Sequence, residues 1–203
     1  MQETAVRIPI LGLFADILDY PRENALERLK MTEESLEADF PEAAPLLSSF
    51  RAAIDGLTLE RLQEVYTAIF DLNATCHPYI GYQLFGETYK RSVFMVELKE
   101  HYRNHGFESD DTTELADRLG IMLRFVSQCD DEELVTDIID YGFAPSLAKM
   151  TKVHEPSVKE PETREPNPYT NVMKALQIVL GHGDDADDPA EATKKDEGDG
   201  DVR

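Results

Sequence analysis

Cysteine is scarce in this 203-residue chain, which contains only Cys76 and Cys129. Two cysteines without a CxxC spacing are too few for a disulfide framework, and they favour a reducing, cytoplasmic location. Long apolar runs are also missing: no stretch approaches the roughly 18 to 20 residues that a membrane helix needs. The N-terminus lacks the basic region of a signal peptide. We therefore expect no stable membrane insertion and no export.

Basic residues are a minority, because 20 Lys and Arg face 41 Asp and Glu, for a net charge of -21. Residues 183–203 carry nine acids and three bases, so they supply -6 and the rest of the chain keeps -15. A field of this sign repels nucleic acids and anionic lipids and attracts cationic partners. Nucleic acid is therefore excluded as an expected ligand, whereas binding of basic peptides and simple solubility both remain open.

Motifs for catalysis or cofactor binding are absent as well: there is no phosphate-binding glycine loop, no HExxH and no Gly-x-Ser-x-Gly. Cys76 and His77 are adjacent, but neighbouring side chains usually diverge, so a structural cysteine is favoured over a nucleophile pair. His101 and His105 stand one helical turn apart, yet two ligands alone make a weak metal site and favour a solvated helix face. We expect no enzyme activity, no cofactor and no metal.

What the chain does contain is a series of apolar residues at helical spacing, interrupted by proline or glycine. No strand pattern or internal repeat is evident. The sequence therefore predicts an all-α protein, a single-domain bundle of about eight or nine helices. The first three predicted helices are Leu11–Leu18 before Pro21, Leu26–Phe40 and Pro45–Ile54. A fourth is capped by Thr58 and runs to Phe70, and a fifth follows Gly86, with Tyr89, Val93, Val96, Leu98 and Tyr102 in its apolar pattern. A sixth is capped by Thr113 and runs to Cys129, and a seventh begins at Asp130 and is kinked or ended by Gly142 and Pro145.

Composition divides the chain into four parts. Residues 1–153 form the helical body. Residues 154–168 contain four prolines among charged residues, which favours an extended linker. Residues 169–181 restore a short apolar helix that we expect to dock on the body, since its apolar face is costly in water. Residues 182–203 are acidic, lack core residues and are expected to be disordered.

The stretch from 70 to 91, FDLNATCHPYIGYQLFGETYKR, collects rings, a proline and two glycines where the helical pattern stops. A break between helices can turn aromatic side chains towards a groove that binds an amphipathic peptide. The same rings can equally pack a core where helices cross. The residue pattern alone leaves both interpretations open.

Three segments taken together resemble the assembly chaperones of complex molybdenum oxidoreductases, of the nitrate reductase delta-subunit (NarJ) type within the TorD-like family. The resemblance spans roughly residues 8–180. Its most specific parts are Tyr66-x-x-Ile69-Phe70-Asp71, Gly81-Tyr82-x-Leu84-Phe85-Gly86-Glu87 with Tyr89 to Arg91, and Glu114-Leu115-x-Asp117.

This resemblance implies a TorD-like helical chaperone in the cytoplasm, without catalytic turnover and without a cofactor of its own. Its partner would be the apo catalytic subunit of a molybdenum oxidoreductase, bound through an N-terminal leader peptide. It would act while the bis-molybdopterin guanine dinucleotide cofactor is inserted, before membrane attachment or export, as a monomer or weak dimer. A permanent small subunit of the mature complex is the alternative, and an enzyme using Cys76 and His77 is a third.

The resemblance and the ring-rich break together predict one client-binding region. Its aromatic residues offer rigid contact area, while its charged residues would pair with groups on the peptide. The predicted binding residues are Tyr66, Phe70, Asp71, Pro78, Tyr79, Tyr82, Phe85, Glu87, Tyr89, Lys90 and Arg91.

Overall fold

The computed structural model describes residues 2–72, 76–109, 113–152 and 167–182, with side chains from residue 9 onward. Within these ranges the chain forms nine continuous helices and no strand, so the predicted all-α class is confirmed. No helix of the described part is long and apolar enough to cross a bilayer. The predicted linker, except Asn167 and Pro168, and the predicted disordered tail, except His182, lie outside the described residues.

Two of the nine helices contain a π-helical segment. The first is Thr67–Asp71, which continues α4, and the second is Ile138–Phe143, which joins α8 to α9. With α8 and α9 labelled separately, the α-helical segments are α1 Gln2–Ile17, α2 Ala25–Asp39, α3 Ala44–Ile54, α4 Leu59–Tyr66, α5 Ile80–Phe85, α6 Tyr89–Asn104, α7 Leu119–Gln128, α8 Glu132–Asp137, α9 Ala144–Lys152 and α10 Tyr169–Val179.

Helix α1 packs most extensively against α7, and it also packs against α2. Leu11 and Phe14 of α1 and Leu123 and Val126 of α7 are completely buried. At the end of this contact the Asp19 side chain lies against the backbone of α7, since a Cβ added to Gly120 would lie 2.5 Å from an Asp19 carboxylate oxygen. The first turn of α7 and the α1–α2 junction are therefore held against each other.

Helix α10 is part of the core and packs against α3, α9 and α1. Tyr169 is 1% exposed, and its ring centroid lies 4.8 Å from that of Phe50 and 5.0 Å from that of Phe70. Tyr66 completes the cluster at 5.8 Å from Tyr169. The aromatic residues of α3, α4 and α10 thus form one packed group.

The prediction of a helix capped at Thr113 is wrong, because α7 begins only at Leu119. The preceding residues pair with the segment before α5 instead: the Ile80 amide donates to the Asp117 carbonyl at 2.8 Å, and the Leu119 amide donates to the Pro78 carbonyl at 2.7 Å. Tyr79 and Arg118 form an antiparallel bridge between these two bonds. The backbone is extended on both sides of this bridge, and this excludes helical geometry there.

Other predicted helix boundaries agree more closely with the structure. Thr58 caps α4 by accepting the Arg61 amide at 3.3 Å. Asp131, one residue later than predicted, caps α8 by accepting the Leu134 amide at 3.0 Å. Pro145 does not end the last body helix, because it lies in the first turn after the π-helical segment, where the helix continues as α9 to Lys152.

Replacing Tyr169 with alanine is expected to lower the free energy of unfolding by about 3–5 kcal/mol, since a large buried ring leaves a cavity among three other rings. Tyr141→Ala is the control, because that side chain is 73% exposed; its expected effect is below about 0.5 kcal/mol. Urea denaturation followed by far-ultraviolet circular dichroism measures both. Equal, small losses would show that α10 does not stabilise the body.

Candidate functional site

The ring-rich segment folds as a short helix, a turn and the start of a long helix. Gly86 ends α5 with a φ of 63°, a left-handed conformation that glycine adopts without strain. Thr88 precedes α6, and its hydroxyl donates to the Phe85 carbonyl at 3.0 Å. The bridge at Tyr79 attaches the beginning of this segment to the residues before α7.

An ion pair between Arg91 and Asp117 lies underneath this segment. Nε and Nη2 of Arg91 donate to the two Asp117 carboxylate oxygens at 2.8 and 3.3 Å. The Asp117 side chain is completely buried and that of Arg91 is 15% exposed. Such a two-pronged, buried pair fixes direction as well as distance. It connects the first turn of α6 to the residues that precede α7.

Gly81 provides the room for this pair. A Cβ at this position would lie 2.7 Å from Oδ2 of Asp117 and 2.9 Å from Cδ1 of Phe94. The Arg91 guanidinium also lies 5.4 Å from the ring centroid of Tyr79 and 5.7 Å from that of Tyr82, within the range of cation–π contacts. Two predicted binding tyrosines are thus positioned by a third predicted residue.

A second polar chain runs from Tyr79 into the core. The Tyr79 hydroxyl donates to Glu114 Oε2 at 3.1 Å, and Arg118 donates to Glu114 Oε1 at 2.5 Å. Arg118 also donates to the Tyr66 hydroxyl at 3.0 Å, which in turn donates to the Leu18 carbonyl at 3.1 Å. The hydroxyl of buried Tyr66 therefore has a donor and an acceptor partner.

Burial and neighbouring charges shift the pKa values of Tyr66, Tyr79 and Arg118 in this series of hydrogen bonds. Burial raises the pKa of Tyr66 far above its ordinary value, although Arg118 opposes the shift. Burial, and then Glu114, raise the pKa of Tyr79. Desolvation alone would lower the pKa of Arg118, but its neighbours Tyr66, Glu114 and Asp19 raise it. Both tyrosines are therefore neutral donors at physiological pH, and Arg118 keeps its charge.

The predicted binding residues divide into two groups by their exposure. Tyr66 and Phe70 are core residues, 1% and 0% exposed, and Pro78 is also buried. These three support the region from beneath. Those that reach the surface, wholly or in part, are Asp71, Tyr79, Tyr82, Phe85, Glu87, Tyr89, Lys90 and Arg91.

Helix α6 carries an exposed apolar stripe on its outer face, which we call the α6 stripe: Tyr89, Val93 and Val96, 83%, 38% and 66% exposed. Their spacing in the sequence predicts that they belong to the buried apolar face of the helix. The structure instead turns Arg91, Phe94 and Leu98 inward, and Phe94 contacts Phe85 at 5.7 Å between ring centroids. Tyr89 is one of the residues that the sequence predicts to bind the client, whereas the exposure of Val93 and Val96 is visible only in the structure.

Cys76 and His77 each contact a backbone carbonyl in this arrangement. Cys76 is completely buried, and its sulfur lies 3.8 Å from the Met150 carbonyl oxygen. Nδ1 of His77 lies 3.0 Å from the Phe70 carbonyl oxygen, and its ring stands edge-on to Tyr82 at 5.3 Å. The imidazole therefore contacts a carbonyl near the end of the first π-helical segment.

A cavity of about 440 Å³ lies beside this region, between the end of α1 and α7. Its wall is an ion-pair network: Arg124 donates to Asp16 at 2.8 Å and contacts Asp19 at 2.7 Å, while Arg118 lies 3.5 Å from Asp19. Sequence reasoning did not select these residues, because their partners are about a hundred positions apart. The network ties the end of α1 to α7.

Comparisons with known proteins agree with the helical architecture. A family model described as "Nitrate reductase delta subunit" matches residues 33–141, more than half of the chain. Among solved structures, the chain is similar to a presumed redox enzyme maturation protein from Archaeoglobus fulgidus, at 24% identity and a TM-score of 0.56, covering 86% of this chain and 93% of that one. At 24% sequence identity, this similarity shows that the two proteins share a fold. No curated protein sequence matches the chain.

Replacing Asp117 with alanine is expected to lower the free energy of unfolding by about 3–5 kcal/mol, because Arg91 would keep a poorly hydrated, unpaired charge. Glu34→Ala is the matched control, since Glu34 pairs with Lys30 at 3.8 Å on an exposed helix face. Such a pair contributes less than about 1 kcal/mol. Chemical denaturation measures both variants, and similar losses in the two would refute the structural role of the buried pair.

Proposed function

The chain belongs to the nitrate reductase delta subunit family, and from that membership we propose that it is an assembly chaperone for a molybdenum oxidoreductase. It binds the N-terminal segment of the apo catalytic subunit and keeps that subunit open while bis-molybdopterin guanine dinucleotide is inserted. It acts in the cytoplasm before membrane attachment or export, without catalytic turnover, as a monomer or weak dimer. The cofactor belongs to the client and not to the chaperone.

The α6 stripe is the observation that supports a client-binding surface most directly. Three apolar side chains at positions i, i+4 and i+7 face solvent on a helix whose inner face is held by the Arg91–Asp117 pair. An amphipathic helix docks on such a row with its own apolar face. Preorganisation lowers the entropic cost of binding, since the surface does not have to order when the client arrives.

Charge supports a basic client segment. Asp71 and Glu87 are exposed beside the ring-rich break, and the whole chain carries -21. A basic N-terminal segment would be attracted at long range, and exposed carboxylates would fix its direction. Lys90, also exposed, would accept a carboxylate of the client. The affinity of the complex should therefore fall as salt is added.

A permanent small subunit of the finished enzyme is the second candidate, and the family description itself favours it by the word "subunit". The two candidates differ in the state of the partner. A chaperone associates with the apo catalytic subunit and leaves, whereas a permanent subunit remains in stoichiometric amounts in the mature complex.

We expect a pull-down from native cells at low salt to capture a large catalytic subunit that contains little molybdenum. Mass spectrometry identifies the subunit, and elemental analysis measures its molybdenum content. Capture of only molybdenum-loaded complex would favour the permanent subunit. Capture of no oxidoreductase would contradict both candidates.

Binding of a synthetic peptide with the N-terminal sequence of the captured subunit tests the α6 stripe. Val96→Asp is expected to weaken binding at least about tenfold, because it places a charge in an apolar contact. Leu26→Asp on α2 is the matched control, since Leu26 is 59% exposed and Val96 66%. Fluorescence anisotropy measures both affinities. Equal affinities of the two variants would exclude the α6 stripe as the binding surface, whatever the pull-down shows.

A further inference from the structure

Three side chains of different metal-ligand types meet at the far end of α6 from the ring-rich break. His105 caps the C-terminus of α6, Cys129 caps the C-terminus of α7, and Asp130 follows in the turn before α8. One ligand atom from each lies within 4.8 Å of the other two. Cys129 is buried, His105 is half-buried and Asp130 is exposed, so the group opens to solvent on one side.

The His105 ring is oriented for coordination. Its Nδ1 lies 2.9 Å from the His101 carbonyl oxygen. Because a carbonyl can only accept a hydrogen bond, Nδ1 is the donor in this contact, and Nε2 is the ring nitrogen left to face a metal. A backbone carbonyl that fixes the tautomer in this way is typical of metal-bound histidines. The ring also packs edge-on against Phe125 at 5.8 Å, which restrains its rotation.

A fourth candidate ligand atom, a carboxylate oxygen of Asp131, lies beside His105. Oδ2 of Asp131 is 3.8 Å from Nε2 of His105, while Oδ1 accepts the Leu134 amide as the cap of α8. The cap holds the carboxylate in place and leaves Oδ2 pointing towards the imidazole. Asp131 thus places a second carboxylate oxygen beside the imidazole of the group.

We propose that His105, Cys129 and Asp130 bind Zn²⁺, with Asp131 or a water molecule as the fourth ligand. Magnesium and calcium prefer all-oxygen ligands, whereas one thiolate, one imidazole and carboxylates suit the tetrahedral, borderline-soft zinc ion. Binding exchanges the thiol proton of Cys129 for the metal, so a sulfur–zinc bond forms as the proton leaves to solvent. Zinc bond lengths would draw the ligand atoms to about 3.5 Å from one another.

The site would join three helices. A bound ion connects the end of α6 to the turn between α7 and α8, and it adds its binding free energy to the folded state. In this respect it complements the Arg91–Asp117 pair, which holds the opposite end of α6. The proposed zinc site does not depend on the proposed chaperone function. The spacing of His101 and His105 in the sequence favours a solvated helix face, whereas the structure brings His105 next to Cys129 and Asp130 from a distant turn.

Co²⁺ titration of the full-length protein, first dialysed against a chelator, tests the site through the thiolate-to-cobalt charge-transfer band. We expect the band in the wild type and in Cys76→Ala, and its loss in Cys129→Ala. Competition with Zn²⁺ should remove the cobalt spectrum. His101→Gln is a second control, because the proposed contact uses only the backbone carbonyl of that residue.

Asp130→Asn keeps the experiment decisive if Cys129→Ala fails to fold, since the Asp130 side chain is exposed. It should weaken Zn²⁺ binding at least about tenfold in calorimetry, the loss typical of disturbing even an outer partner of a metal site. Absence of a thiolate band in the wild type would overturn the proposal. Unchanged Zn²⁺ affinity in Asp130→Asn, or a band that disappears in Cys76→Ala but not in Cys129→Ala, would overturn it as well.

Discussion

The buried pair between Arg91 and Asp117 determines how the ring-rich segment sits on the body. Asp117 has no exposed surface, so its charge is stable there only with the guanidinium in place and with Gly81 leaving room for both. The peptide bonds on either side of the next residue, Arg118, also pair with Pro78 and Ile80. The Asp117 carboxylate and these backbone bonds together fix the entry to α5, the first turn of α6 and the beginning of α7.

This arrangement explains how an all-helical body can keep apolar groups on its surface. Because Arg91, Phe94 and Leu98 turn one face of α6 inward, the α6 stripe on the opposite face has no part in the core. Exposed apolar residues on one helix face are typical of surfaces that bind partners. In the proposed function, the stripe meets the apolar side of a client segment, and the acidic body attracts the basic groups of that segment.

The predicted binding residues have different physical roles, because some lie in the core and others reach the surface. Tyr66 and Phe70 pack with Tyr169 of α10 and cannot meet a client while that helix is docked. Tyr79 and Tyr82 lie over the Arg91 guanidinium at the boundary. Tyr89 alone among the predicted rings is almost fully exposed. The region that sequence treats as one site is thus a supporting core, a rigid boundary and an outer surface.

The sequence by itself determined the helical class and most helix boundaries, because apolar periodicity, proline and capping residues act within a few positions of one another. It could not determine which apolar side of α6 turns inward, since Tyr89, Val93 and Val96 fit a core pattern as well as Leu98 and Tyr102 do. It also predicted a helix from Thr113, whereas residues 117–119 pair through their backbone with residues 78–80 and the helix begins only at Leu119. The tertiary structure alone decided the Arg91–Asp117 pair and the meeting of His105 with Cys129, because packing brings these distant residues together and no local spacing records it.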